Sequence, residues 1–228
     1  EELSEEVLAM ATRNLTAALS AQIYERYGDV QAFAVNEAVK SMNGARMQNY
    51  LETYVPLYGL YDLILVVDKN GNYVSSNFKD VGGKDVNVAA LKAKNFKDAP
   101  WFQNVIAGKT TDDKERAFSG TYIEDFINDP LIEAALGEQR FGTSFSAAIK
   151  DEKGEIVGVI TNRAGKRWIE NEMIVFHKLL IEKGYEDVEI TIVNAEGKVI
   201  SYALTDEKTK ESTFKTDPKE ILVTDFVK

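Results

Sequence analysis

Leu63-Ile64-Leu65-Val66-Val67-Asp68-Lys69-Asn70-Gly71-Asn72-Tyr73-Val74 is the stretch on which the fold turns. Five consecutive apolar residues, then Asp-Lys-Asn-Gly, then Tyr-Val read as strand, turn, strand. The same phrase returns twice without gaps, as Lys150-Asp151-Glu152-Lys153-Gly154-Glu155-Ile156-Val157 and as Val193-Asn194-Ala195-Glu196-Gly197-Lys198-Val199-Ile200. Each copy places Asp or Asn at the turn start, where its side chain can cap the backbone. Each places Gly three residues later, where a positive φ is needed. Hairpins, and hence antiparallel strands, are expected at all three.

On the N-terminal side of the first hairpin the pattern changes period. No proline occurs from Leu3 to about Tyr54, and Leu8, Ala11, Leu15, Leu19, Ile23, Tyr27, Val30 and Ala34 recur at steps of three or four, one helical stripe. A single helix of about fifty residues would be roughly 75 Å long. Two shorter helices broken near Gly28 or Gly44 are the alternative, and Pro56 is expected to end the segment in both cases. Between the first two hairpins, Asp98 to Gly108 reads as a short helix opened by Pro100, and Tyr122 to Leu136 as helix broken by Pro130. Arg140–Ile149 and Ile156–Arg163 read as strands around the second turn. Trp168 to Gly184 returns to helix with Ile169, Met173, Phe176 and Leu180 on one face. The layout is α+β, divided as a long N-terminal helix (1–56), a first sheet unit (57–170) and a smaller, reduced or truncated second copy (171–228). The polar stretch from Thr205 to Lys219 reads as loop.

Composition narrows the chemistry. The 228 residues are 44% hydrophobic and 28% charged, enough to build a core. Lys and Arg number 27 against 37 Asp and Glu, a net charge of −10 that argues against a nucleic-acid partner. With no cysteine and one histidine, His177, the chain lacks disulfides, thiol nucleophiles, zinc ribbons and most zinc enzymes' ligand sets. The longest apolar run, Leu63 to Val67, is far short of the ~18 residues of a membrane span. The chain opens on Glu1 and closes on Phe226-Val227-Lys228, and reads as a fragment of something longer.

Taken together, the long N-terminal helix, the Leu63-to-Val74 hairpin, Pro100-Trp101-Phe102 opening a helix that ends at Ala107-Gly108-Lys109, and Phe145-Ser146-Ala147-Ala148-Ile149 followed by Gly154-Glu155-Ile156-Val157-Gly158-Val159-Ile160 resemble a known family. It is the double Cache sensor domain of bacterial methyl-accepting chemotaxis receptors and sensor histidine kinases. The resemblance implies an extracytoplasmic sensor with two PAS-like units. A small-molecule pocket would lie in the membrane-distal unit, about Leu57 to Arg167, and the membrane-proximal unit would be smaller. Membrane helices would flank the fragment, with no catalysis and no cofactor. In amino-acid-binding members, an Arg two positions before the Trp helps hold the ligand carboxylate, and an Asp near the end of the Gly158 strand holds its amine. Those places correspond here to Ala99 and to Asn162 or Arg163, so both groups are missing. A buried ammonium needs an anionic partner and a buried carboxylate a cationic fork. With Arg163 facing inward beside Val157, Val159 and Thr161, the site would favour an anionic or neutral polar ligand over a free amino acid. The alternative is that Arg163 merely pairs with a surface carboxylate.

Trp101, Phe102, Phe118, Tyr122, Phe145 and Ser146 complete the candidate lining, on the ground that aromatic walls with a few hydroxyls suit small molecules. Core packing is the bland alternative for each. Glu124-Asp125 and Asp129 form an acidic cluster whose spacing fits no calcium loop, and they read as a solvated helix face. His177 has no second ligand to share a metal and reads as structural or exposed, so no metal site is expected. The functional expectation is a ligand-sensing module with the long helix as its lever and, through that helix's exposed stripe, a parallel homodimer. A ligand-free periplasmic scaffold is the rival. No acid–base pair can be assembled for an enzyme.

Overall fold

The computed structural model describes residues 2–113, 115, 118–185 and 187–214, the side chains of residues 2–4, 113 and 118 lying outside that description. The N-terminal stripe forms α1 (Glu2–Val35), followed by α2 (Glu37–Lys40) and α3 (Gly44–Tyr58). Gly28 is passed without a break. The interruptions fall where a side chain can cap: Asn36 Oδ1 accepts the Ala38 N–H at 2.9 Å and Asn43 Oδ1 the Arg46 N–H at 3.0 Å. Pro56 does not end its helix. It sits in the last turn of α3, where a missing N–H forfeits a single bond, and the helix closes at Gly59 (φ 67°), whose N–H donates to Val55 O.

Contacts group the chain into two units, residues 25–165 and residues 1–24 with 166–228. This grouping assigns the two ends of α1 to different units, whereas the sequence suggested a separate helical segment.

The larger unit contains β1 (Tyr61–Asp68), β2 (Tyr73–Ser76), α4 (Val88–Lys92), α5 (Pro100–Ile106), β3 (Thr111–Asp113), β4 (Phe118–Asn128), α6 (Pro130–Leu136), β5 (Phe141–Lys150) and β6 (Ile156–Gly165). Its six strands form one antiparallel sheet in the order β2-β1-β6-β5-β4-β3. One expectation is corrected here: Tyr122 to Asn128 is strand, and only Pro130 to Leu136 is helix. Thr121-Tyr122-Ile123 and Phe126-Ile127 are β formers. Asp129-Pro130 is an N-cap followed by proline at the first helical position, a pair that begins a helix rather than interrupting one.

The three repeated phrases fold alike. Asp68, Asp151 and Asn194 each accept through Oδ1 from the N–H groups two and four residues on, at 2.8–3.0 Å, and Gly71, Gly154 and Gly197 take φ of 79°, 83° and 79°. A fourth copy at Asp80, with Gly82 and Lys84 as donors and Gly83 at φ 86°, was not anticipated because a second glycine obscures the phrase.

The smaller unit combines residues 2–24 of α1 with α7 (Arg167–Glu182), β7 (Ile190–Val193), β8 (Val199–Thr205) and β9 (Ser212–Phe214), in sheet order β7-β8-β9. Leu15, Trp168, Ile169, Met173, Leu180, Ile200 and Ala203 are buried. Within it, Leu8, Leu15, Leu19 and Ile23 from the α1 stripe face Phe176, Leu180, Ile190 and Ile192 across an apolar groove of about 650 Å³. His177 is structural: it is buried, its Nε2 donates to Val188 O at 2.8 Å, and Nδ1 lies 2.7 Å from Ser212 Oγ. Part of the stretch expected as loop is strand β9, and the remainder beyond Phe214 lies outside the described residues.

Candidate functional site

Strand register decides which candidates can meet. On β4, β5, β6 and β1, Glu124, Ser144, Arg163 and Leu63 are successive cross-strand partners, and so are Tyr122, Ser146, Thr161 and Leu65. Positions two apart on a strand share a face. These two rows therefore lie on one side of the sheet, the side covered by α4, α5 and α6. There Leu63, Leu65, Val67 and Val159 pack with Trp101, Phe102, Val105, Leu131 and Ile132, and Tyr122 packs at the margin.

The intervening rows face the other way. Ile123, Phe145, Asn162 and Ile64 are partners, flanked by Thr121, Ala147, Ile160 and Val66. This side meets the C-terminal part of α1, where Gln31 donates to Thr121 Oγ1 at 2.9 Å and Thr121 Oγ1 to Tyr27 O at 3.1 Å. Asn162 lies beside the Tyr61 hydroxyl, which donates to Asp29 Oδ2 at 2.6 Å. Burial pushes the Asp29 carboxyl upward, against the opposing pull of Tyr61 and Arg26, and burial raises the Tyr61 hydroxyl as well.

Trp101, Phe102, Tyr122, Ser146 and Arg163 are thus brought to one face. Phe145 and Asn162 are not: both are fully buried on the opposite side, because a strand turns successive side chains away from each other. The backbone of Phe118 opens β4, and its side chain lies outside the described residues. Of the two alternatives at the end of β6, Arg163 is the residue facing the helices.

Around Arg163 the face is polar and dry. The side chain is 3% exposed, and its Nη1 donates to Glu124 Oε2 at 2.9 Å and to Asp129 Oδ2 at 3.1 Å. Neither carboxylate is on the surface, their side chains being 13% and 1% exposed, so the reading of the acidic cluster as a solvated helix face is corrected for Glu124 and Asp129, whereas Asp125 is exposed. Glu124 is held by Ser144 Oγ, which donates to Oε2 at 2.6 Å. Asp129 divides its oxygens, Oδ1 capping α6 through Leu131 N (2.9 Å) and Ile132 N (3.3 Å) while Oδ2 faces Arg163. The guanidinium carbon sits 5.5 Å from the centre of the Trp101 ring, within cation–π range. Ser146 Oγ donates to Thr161 Oγ1 at 2.8 Å. Among the described residues, Arg163 Nε and Nη2 are buried without an acceptor.

Sequence reading missed Glu124 and Asp129 as site residues. The signal was available in Asp129-Pro130, which marks a helix start and so leaves Glu124 on the preceding strand. Among the described residues, no group of three or more His, Cys, Asp or Glu side chains is placed to hold a metal ion. No helix among them is long and apolar enough to cross a membrane.

No protein-family model matches the chain, and no curated protein sequence matches it significantly. Solved structures do match it in fold. The sensor domain of the V. cholerae histidine kinase DctB superposes with a TM-score of 0.51 at 16% identity, over 73% of this chain and 58% of that one. The ligand-binding domain of the Pseudomonas aeruginosa PAO1 amino acid chemoreceptor PctC, solved in complex with GABA, matches at 0.56 and 12% identity over 98% and 79%. The periplasmic sensory domain of a Campylobacter jejuni chemoreceptor matches at 0.57 and 14% over 96% and 74%. The chain spans just over half the length of the first of these and about three quarters of the other two. It has the fold of these sensor and ligand-binding domains, as the double Cache resemblance implied.

Proposed function

We propose that the chain is the extracytoplasmic ligand-binding module of a transmembrane chemoreceptor or sensor kinase. It would hold a small molecule on the helix-covered face of the six-stranded sheet and pass a conformational change along its terminal segments. One observation carries this reading: a buried guanidinium, lying near the Trp101 ring and half coordinated by the protein's own carboxylates, still presents two unmet donors. Unmet buried donors cost stability unless something supplies an acceptor. The fold neighbours, one of them solved with GABA, support a sensor role. Trp101, Phe102, Tyr122, Ser146 and Arg163 are the proposed lining, with Phe118 retained from the sequence, and the parent protein is proposed to be anchored in the membrane.

The reading is tested by a thermal-shift screen over organic acids, amines, purines and amino acids, repeated with Arg163→Lys, which keeps the charge but lacks the planar fork. Stabilisation by one class, lost in the variant, is the expected outcome, since a ligand that binds only the folded state raises its stability. One observation favours a ligand-free scaffold instead: Arg163 Nη1 is already paired twice within the protein. Failure of every class to shift the melting temperature would select that scaffold. The homodimer expected through the exposed stripe of α1 is proposed on Leu8 and Ile23, which line the groove yet remain exposed along it; sedimentation of the same samples as monomer alone would remove it.

A further inference from the structure

The side of the sheet turned to α1 holds polar groups that the sensor reading does not use. Asp29 of α1 accepts the Tyr61 hydroxyl on Oδ2 at 2.6 Å, and Arg26 Nε lies 2.9 Å from the same oxygen. Arg26 is shared, because its Nη2 donates to Glu25 Oε2 at 2.7 Å. One guanidinium therefore faces two carboxylates, a formal charge of −1 (+1 from Arg26, −2 from Glu25 and Asp29). Glu25 is 62% exposed and water screens it, whereas the Asp29 side chain is 14% exposed. The titratable groups that other elements bring to Asp29 are the hydroxyls of Tyr61 on β1 and Tyr58 on α3, and neither is a cation. The surplus charge thus falls on Asp29, whose carboxyl burial pushes upward.

Asn162 of β6 lies beside the Tyr61 hydroxyl and is fully buried. Among the described residues, neither its Oδ1 nor its Nδ2 has a hydrogen-bond partner, an arrangement that costs stability. While Asp29 is ionised, the Tyr61 hydrogen is committed to Oδ2 and does not serve the amide. A solvent proton added to Asp29 Oδ2 turns the carboxyl into a donor toward Tyr61 Oη. The Tyr61 hydrogen, which burial keeps on its oxygen, then rotates to Asn162 Oδ1. The only covalent change is the new O–H bond on Asp29; it cancels the surplus charge and gives the orphaned amide oxygen a donor.

We propose that Asp29 is a proton-binding site that latches α1 to the six-stranded sheet in acid through Tyr61 and Asn162, a response to external acidity separate from any small-molecule ligand. Asn162 and Arg163 serve opposite sides of the sheet, so the latch does not depend on the Arg163 face. The folded chain holds this proton more tightly than the unfolded chain. The stability that Asp29 contributes is therefore fully present below the ordinary carboxylate value of 3.8 and is lost as pH rises through its raised folded value.

Urea denaturation from about pH 7 to about pH 4 tests it, read by Trp101 fluorescence in a Trp168→Phe background. The chain with Asp29 is expected to gain stability over Asp29→Asn as pH falls, since Asn cannot titrate. Carbon-13 resonances of the Asp29 carboxyl should titrate above 3.8. Asn162→Ala removes the terminal acceptor and should move that titration down, an effect that an amide merely filling space would not produce. A stability difference flat with pH, a titration at or below 3.8, or one indifferent to Asn162→Ala overturns the proposal. Should Asn162→Ala fail to fold, the Asp29→Asn comparison and the titration of the unaltered chain decide alone. None of these outcomes bears on the ligand screen, so the latch and the sensor reading can fail separately.

Discussion

Replacing Asp129 by alanine strips two functions from one side chain: the cap on α6 and half of the charge opposite Arg163. A lost N-cap costs about 1 kcal/mol, and a buried ion pair broken from one side costs roughly 3–5 kcal/mol. Glu124 stays in place to hold Nη1, so Asp129→Ala is expected to lose about 3 kcal/mol in all. Asp129→Asn keeps the capping oxygen and should recover about 1 kcal/mol of that loss. Urea denaturation followed by tryptophan fluorescence measures both, and equal midpoints for the two variants would contradict the dual role. At this scale the sequence was legible in part in Arg163, which strand alternation places on one face with Val157, Val159 and Thr161 while leaving open whether that face is inward. It was less legible in Glu124 and Asp129. Their charge suggested solvent, and only the long-range pairing of β4 with β5, and of β5 with β6, brings them onto a buried cation.

The repeated turn shows what is encoded locally. Its Asp or Asn and its Gly act within five residues, so three of the four copies could be read directly from the chain. The same local chemistry predicts unequal sensitivity. At Gly154 a Cβ would meet open space, so Gly154→Ala should cost only the left-handed conformation, about 1 kcal/mol. At Gly71 a Cβ would also run into the backbone of Lys97, and Gly71→Ala should be clearly the more destabilising of the pair. Comparing their denaturation midpoints checks this, and equal losses would mean that the Lys97 segment yields freely. Tyr122 to Asn128 failed at this scale for a related reason. Its β formers and the helix start at Asp129-Pro130 favoured strand, but the pairing with Phe141 to Ser146 that fixes it lies outside any window along the chain.

Each of the two contact units has apolar residues buried within it, and each holds one of the two tryptophans, Trp101 in residues 25–165 and Trp168 in residues 166–228. The larger unit packs a broad cluster between its six-stranded sheet and α4–α6. The smaller has three short strands, two of them with no buried residue. Less buried apolar area means less stability. Single-tryptophan variants Trp101→Phe and Trp168→Phe should therefore report separate transitions in denaturant, with Trp168 responding first; coincident curves would show one cooperative molecule. Period and punctuation in the sequence alone determined the α+β class, the three hairpins and the helical character of the N-terminal stretch, because these depend on side chains within a turn or two of each other. The tertiary structure alone decided where α1 stops, how β4 pairs, and which of Arg163 and Asn162 faces the helices. It alone surrounded Arg163 with Trp101, Glu124 and Asp129. Those outcomes depend on contacts between residues tens of positions apart, whose energies exist only once the chain has closed on itself.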